Sequence, residues 1–236
     1  GDYFQATRGG GHGDYRMIVL APSSVQEMYD LTCLAFNLSD KYRNPAMILG
    51  DALIGQMKEP LIRKKCAKMD LPPKDWALTG AQGRKPNRLK SLYLQDGELS
   101  EHNWKLHQKY EQMKREEVRF ESFFTEDAKL IVAAFGSMAR VSKTSVELAR
   151  EEGMKVGLLR PITLFPFPEK ALYDFSQRVK LFLTVELNTG QMVEDVKLSV
   201  ERDAQVYFYG RPPGSLPSPE EVLEEIKKVY GIEHSA

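Results

Sequence analysis

The chain has 236 residues, 42% of them hydrophobic and 28% charged, with 33 Lys and Arg against 33 Asp and Glu. That apolar content suffices for one large or two modest cores. The balanced charge gives no global field toward nucleic acid, an anionic membrane or a polyanionic substrate. Two cysteines, Cys33 and Cys66, share no metal-ligand spacing, so an iron–sulfur cluster, which takes about four thiolates, is not expected here. Such sparse cysteine use fits a reducing cytoplasm better than a disulfide-stapled fold. With no signal peptide and no apolar run of about 18 residues, a protein free in solution is expected.

Residues 1–16 read as a glycine-rich loop with no preceding element, as if the front of a domain were missing. Residues 16–21 are a short β-type run ending at Pro22. Ser23 or Ser24 is a natural N-cap, with Glu27 placed for a capping box if Ser24 is the cap. Val25, Met28, Leu31, Thr32, Ala35 and Leu38 recur at helical spacing up to Tyr42. Asn44-Pro45 breaks that helix, and residues 46–49 form a second apolar strand. Strand, helix and strand in succession predict a βαβ unit with parallel strands.

Residues 61–125 lose the pattern. Pro72-Pro73, Gly80, Gly83 and Pro86 punctuate a polar, initially basic stretch that reads as a connector. Within it, residues 100–119 predict one amphipathic helix with Leu106, Tyr110 and Met113 on its apolar stripe, Trp104 off it and Glu117 interrupting it. From 126 to 236 regularity returns: a strand at 130–135, a helix at 139–152 closed by Gly153, and a strand at 155–159. A turn-rich run at 160–168 follows, then a helix at 169–179, a strand at 181–186, a helix at 192–200, a strand at 206–209 and a helix at 219–230. Four strands alternating with helices predict a parallel, helix-covered α/β sheet. That sheet is expected to close its core without the first sixty residues.

Three segments could carry chemistry. Arg8-Gly9-Gly10-Gly11-His12-Gly13-Asp14 combines glycines that allow close backbone approach with groups able to anchor a ligand or move a proton. It precedes a strand, where a dinucleotide phosphate loop would follow one and open a helix, so dinucleotide binding is rejected. An active-site edge built on Arg8, His12 and Asp14 competes with a plain structural turn. Phe135-Gly136-Ser137-Met138 lies at a strand end, where open α/β sheets often bind ligands, although a single glycine also serves any tight turn. Glu186-Leu187-Asn188-Thr189-Gly190-Gln191 is a similar loop, and with no histidine near it in sequence, helix capping and interface contacts are the preferred roles for Glu186.

The stretch Gln5-Ala6-Thr7-Arg8-Gly9-Gly10-Gly11-His12-Gly13-Asp14-Tyr15-Arg16, continued by Leu20-Ala21-Pro22-Ser23-Ser24-Val25-Gln26-Glu27, resembles alpha subunits of 2-oxoacid:ferredoxin oxidoreductases of the branched-chain and 2-oxoglutarate type. Leu159-Arg160-Pro161-Ile162-Thr163-Leu164-Phe165-Pro166-Phe167-Pro168 and Val185-Glu186-Leu187-Asn188-Thr189-Gly190-Gln191-Met192 look like the same family's carboxy-terminal domain. The resemblance implies an α/β fold: residues 1–60 ending a thiamine-diphosphate pyrimidine-type domain, 61–125 connecting, and 126–236 forming a parallel domain like the transketolase C-terminal domain. The family's Tyr-Pro-Ile-Thr-Pro-like motif is absent from the chain.

It further implies that thiamine diphosphate and magnesium sit against a beta subunit that also holds a proximal [4Fe-4S] cluster, with gamma and ferredoxin-like delta subunits completing an oligomer. In the reaction so implied, a 2-oxoacid such as pyruvate or 2-oxoisovalerate loses carbon dioxide, its acyl group passes to coenzyme A, and electrons pass to ferredoxin. This fragment alone is then expected to be inactive. The competing expectations are a non-catalytic subunit-interaction module and a small-ligand-binding α/β domain using the Phe135 edge.

Overall fold

A computed structural model describes residues 1–232. A small sheet has β1 (Ile18–Leu20) at its centre, with β2 (Ala46–Ile48) parallel to it and β6 (Thr163–Phe165) antiparallel. The expected βαβ unit is present: α2 (Val25–Tyr42) joins β1 to β2, and Val19 lies opposite Met47. The Ser24 side chain accepts from the Glu27 N–H at 3.1 Å, as an N-cap should. Glu27 does not complete the box on Ser24; its carboxylate accepts instead from the Ser23 N–H at 2.7 Å and the Ser23 hydroxyl at 3.0 Å.

The larger sheet runs β3 (Phe120–Phe123), β5 (Val156–Pro161), β4 (Leu130–Ala133), β7 (Leu181–Glu186), β8 (Gln205–Gly210). Its last four strands are parallel, as expected, and β3 adds an antiparallel edge from the stretch read as connector. Two further helices of the opening half are short or lie across its surface: α3 (Ala52–Gln56) and α4 (Glu98–Glu116). The helices of the larger sheet are α5 (Gly136–Glu151), α6 (Glu169–Ser176), α7 (Met192–Ser199) and α8 (Pro219–Ile232).

Period-two alternation sorts the strands between two cores. Leu130, Val132, Leu158, Leu183 and Val185 face α5 and α8, where they meet Met138, Val146, Val222 and Ile226. Ile131, Ala133, Leu159 and Phe182 point the other way, into a second core shared with α7, Ile18 and Leu20 of β1, and Tyr110 and Met113 of α4. Fully burying each such aliphatic side chain stabilises by about 1.5–3 kcal/mol, so the sheet's second face depends on residues before 128. The later residues do close the core under α5 and α8 by themselves, as expected, but not the one on the other face: β6 pairs with β1, and β3 completes their edge.

Two other expectations change. Residues 1–16 are not all loop, because α1 (Tyr3–Thr7) buries Tyr3 and Ala6, three apart on one helical face, in the shared core. The two cysteines, read as too sparse for a stapled fold, are joined as a Cys33–Cys66 disulfide. That bond ties α2 to residues 57–97, which contain no helix or strand. Gln26, Tyr29, Cys33 and Asn37 form a stripe at helical spacing on α2, and three of them hold this strap through its backbone. The Ile62 N–H donates to Gln26 Oε1 at 2.9 Å, the Tyr29 hydroxyl to the Lys64 carbonyl at 2.8 Å and Asn37 Nδ2 to the Ala67 carbonyl at 3.0 Å.

Glu117, which breaks the apolar stripe just after α4, is buried and paired with Lys41 at 2.7 Å and Arg119 at 2.9 Å, and it accepts from the Tyr42 hydroxyl at 2.8 Å. Burial works against its ionisation, yet these donors outweigh burial and hold the carboxyl below its ordinary value.

Candidate functional site

Gly9, Gly10, Gly11 and Gly13 all have positive φ, from 57° to 74°, so the turn after α1 needs residues without a Cβ. The turn is held from behind by α7. Arg8 pairs with Glu194 and Asp195, both at 3.0 Å, and lies 3.9 Å over the Phe4 ring. The buried Tyr3 hydroxyl donates to Asp195 at 2.6 Å, and burial followed by that carboxylate raises the phenol above its ordinary value. Gln191 grips the same segment from both sides, accepting from the Phe4 N–H at 2.9 Å and donating to the Gly1 carbonyl at 2.6 Å.

The three residues expected at the active-site edge are therefore not gathered. Arg8 is spent on α7. His12 is exposed, and its ring makes no hydrogen bond among the described residues, although its backbone N–H closes the turn onto Gly9. Asp14, also exposed, lines a cleft of about 760 Å³ with Arg16, Trp104, His107, Lys114 and Phe165. Trp104, off the apolar stripe of its helix, stands on that cleft wall, edge-on to His107 with centroids 5.6 Å apart.

Two strand ends of the larger sheet, those of β4 and β7, are occupied by carboxylates of the chain itself. At the end of β4, Asp51 accepts from the Ser137 N–H at 2.9 Å and the Ser137 hydroxyl at 2.7 Å, while its other contact caps α3 through the Ile54 N–H at 3.0 Å. Gly136 has φ 58°, and a Cβ there would stand 3.1 Å from Asp51. The start of α5 thus holds an anion already, which removes the basis for a small-ligand site at Phe135–Met138. At the end of β7, the buried Glu186 accepts from the N–H groups of Met192 at 2.8 Å and Val193 at 2.9 Å and from Asn188 Nδ2 at 2.9 Å. The capping role expected for Glu186 is what the geometry shows. The role of Asp51 was missed, since its partner lies 86 residues away; its own N-cap position was the one local signal.

A further buried constellation went unread. Arg160, 3% exposed, donates to both carboxylate oxygens of Glu27 at 2.6 and 2.7 Å, to Ser23 Oγ at 2.7 Å and to Glu121 at 3.0 Å. Burial pushes the Glu27 carboxyl up, but the Arg160 fork and the Ser23 donors prevail and hold it low. Arg160 thereby joins β5 to the N-cap of α2 and to β3.

Among the described residues, no group of three or more His, Cys, Asp or Glu is placed to hold a metal ion, and no helix is long and apolar enough to cross a membrane.

Residues 1–121 match the family model described as "Pyruvate flavodoxin/ferredoxin oxidoreductase, thiamine diP-bdg", and residues 128–222 match "Pyruvate:ferredoxin oxidoreductase core domain II". The ketoisovalerate oxidoreductase subunit VorB of Methanothermobacter marburgensis is 45% identical over 231 residues, covering 98% of this chain and 65% of its own length. The 2-oxoglutarate synthase subunit KorA of Methanothermobacter thermautotrophicus is 31% identical over 255 residues, covering 97% of this chain and 67% of its own. The chain thus spans about two thirds of the length of these relatives. The matching ketoisovalerate subunit carries the letter B in Methanothermobacter, at 45% identity, and the letter A in Pyrococcus abyssi, at 25%, so the more similar relatives do not carry the expected alpha label.

Among solved structures, a 2-oxoglutarate:ferredoxin oxidoreductase from Magnetococcus marinus superposes with a TM-score of 0.76 at 22% identity, over 97% of this chain and 45% of that one. A split-gene transketolase gives 0.52 at 12% identity, over 91% of this chain and 57% of that one. These likenesses establish the fold: a thiamine-diphosphate-domain segment followed by a transketolase-like α/β domain.

Proposed function

Because this chain belongs to the pyruvate flavodoxin/ferredoxin oxidoreductase family, we propose that it is the alpha-type subunit of a 2-oxoacid:ferredoxin oxidoreductase and supplies an edge of the active site. In this reading residues 1–60 close the pyrimidine-type domain, 61–125 connect, and 126–236 form the transketolase-like domain. The complex takes a 2-oxoacid to carbon dioxide and acyl-CoA and passes the electrons to ferredoxin. Branched-chain 2-oxoacids are the favoured substrates, because identity is 45% to the ketoisovalerate subunits VorB of Methanothermobacter and 30% to 34% to the 2-oxoglutarate subunits KorA. Beta, gamma and delta subunits are its partners, in the cytoplasm.

The residues present do not fit the diphosphate or magnesium. The N–H groups opening α5 and α7 are already satisfied by Asp51 and Glu186, and no carboxylate cluster is placed for a metal among the described residues. In this reading thiamine diphosphate, which supplies an electron sink for decarboxylation when bound, and magnesium belong to the beta subunit, and [4Fe-4S] clusters to other subunits. What this chain contributes is a glycine turn, held by Arg8 and Tyr3 against α7, that presents His12 to a neighbouring subunit.

That held but uncovered turn is the observation carrying the reading. A second reading, a subunit-interaction module without a catalytic part, draws on the same turn, since the Arg8 charge is consumed by Glu194 and Asp195. Co-expression with the partner subunits should give a complex that reduces an acceptor with branched-chain 2-oxoacids, while the isolated chain shows neither turnover nor thiamine diphosphate binding by calorimetry. Micromolar binding by the isolated chain would overturn the assignment of the cofactor to another subunit.

A further inference from the structure

The Cys33–Cys66 disulfide stands apart from the turn and the cleft. Cys33 lies on the polar stripe of α2, while Cys66 sits in the exposed part of the strap. These are the chain's only cysteines, so no other intrachain pairing competes. Arg63, Lys64, Lys65 and Lys68 surround Cys66 in sequence, all exposed and none in an ion pair among the described residues. Unpaired cations near a cysteine favour its thiolate, the reactive form in exchange. Apart from the disulfide, the strap between 60 and 68 is joined to α2 mainly by solvent-exposed hydrogen bonds from Gln26 and Tyr29 and, one residue before the end of that run, Asn37. Such bonds exchange readily with water, whereas the disulfide closes a loop with a sequence separation of 33.

We propose that Cys33 and Cys66 form a thiol–disulfide exchange site at which a dithiol reductant releases the strap from α2 and the reverse reaction locks it down. In the forward direction a thiolate of the dithiol attacks the sulfur of Cys66, the more exposed residue of the pair. The Cys33–Cys66 bond breaks, and Cys33 leaves as a thiolate that takes a proton. The second thiol of the reductant, losing its proton, then displaces Cys66, and the reductant departs as a disulfide. Two electrons and two protons have passed to the cysteine pair. Re-locking uses the disulfide form of the same couple. A disulfide in a reducing compartment is ordinarily of this reversible kind, and the cytoplasmic placement proposed above is consistent with it, but the site does not depend on that placement.

The test uses the full chain. After equilibration with an oxidised dithiol, maleimide labelling in denaturant should find no free thiol, and after incubation of the native protein with dithiothreitol it should find two. Limited trypsin digestion should then cut after Arg63, Lys64, Lys65 or Lys68 at least tenfold faster in the reduced protein, while residues 128–232 resist equally in both forms. Cys33→Ser should reproduce the fast cleavage without reductant, and its remaining Cys66 should react with iodoacetamide severalfold more slowly once Lys64→Gln and Lys65→Gln are added. If Cys33→Ser fails to fold, the wild-type comparison still decides. A pair that stays reduced under oxidising conditions, a native disulfide that dithiothreitol cannot open, or a trypsin rate indifferent to reduction would each overturn the proposal.

Discussion

Two arginines join the opening layers of this molecule to its larger sheet under opposite physical conditions. Arg160 is buried, 3% exposed, and its fork is filled by Glu27, Glu121 and Ser23. Arg8 is 37% exposed and meets Glu194 and Asp195 at the rim of α7. Each has two carboxylate partners at 2.6 to 3.0 Å, so counting ion pairs would rank them as equals. Burial separates them. Removing one partner of a buried pair strands a desolvated charge, whereas an exposed pair hands its charge back to water. The first junction therefore fixes how the two layers sit together, and the second only aims a turn.

The largest effect is expected where the charge is most deeply buried. Arg160→Ala leaves Glu27, 26% exposed, with only its Ser23 donors and should lower the free energy of unfolding by about 1.5–3 kcal/mol, read as a fall in denaturant midpoint at unchanged slope. A loss below about 1 kcal/mol would put Arg160 in the same class as Arg8 and remove the distinction.

Acid titration sharpens the same contrast. Burial raises the Glu27 carboxyl, and Arg160 with Ser23 more than offsets that, so the folded value lies below the unfolded one. The sign follows: a depressed carboxyl contributes stability above its unfolded value, about 4.3 for glutamate, and that contribution is lost as pH falls through the folded value. Between about pH 5 and 3, wild type should lose stability more steeply than Arg160→Ala, in which Glu27 has lost its main stabilising partner. Equal acid slopes would mean that Arg160 does not set the ionisation of Glu27.

At the other junction the effects shrink. Tyr3→Phe removes a buried hydroxyl that donates to Asp195 and should cost about 1 kcal/mol. Arg8→Ala should cost at most about 1 kcal/mol, with the difference fading as salt is raised. An Arg8→Ala loss as large as that of Arg160→Ala would show that the turn is a structural support of the fold.

Much of this architecture was legible because it rests on local patterns. The βαβ unit at 16–49 and the strands and helices from 130 onward follow from period-two and helical spacing together with caps such as Ser24 and Gly153. What escaped was long-range. β3 reads Phe120-Glu121-Ser122-Phe123, without period-two alternation and with mostly exposed side chains, so nothing in its composition announces a strand until β5 lies beside it. Tyr3 looked like part of a loop because the apolar surface that receives it comes partly from the far end of the chain, at Met192 and Val196. The Cys33–Cys66 pairing needed the strap to fold back on α2, although the stripe of Gln26, Tyr29, Cys33 and Asn37 opposite the apolar face was open to inspection. At the candidate site the glycine turn could be found from sequence alone, but the sequestration of Arg8 by Glu194 and Asp195, more than 180 residues away, could not.

His12 has the smallest expected effect on stability and for that reason gives the cleanest functional reading. Its ring is exposed and makes no hydrogen bond among the described residues, while the turn that carries it is set by glycines and by the anchors at Tyr3, Arg8 and Gln191. His12→Ala should therefore leave the unfolding midpoint unchanged, and any kinetic change in the assembled enzyme must come from what the imidazole touches there. If the turn borders the active site, turnover should fall or the 2-oxoacid KM should rise by more than about tenfold, equivalent to about 1.4 kcal/mol of transition-state or substrate binding. Arg8→Ala, which loosens the turn without removing the ring, should give a smaller change in the same direction. Wild-type kinetics in both variants would leave the turn a structural feature and favour the subunit-interaction reading of this chain.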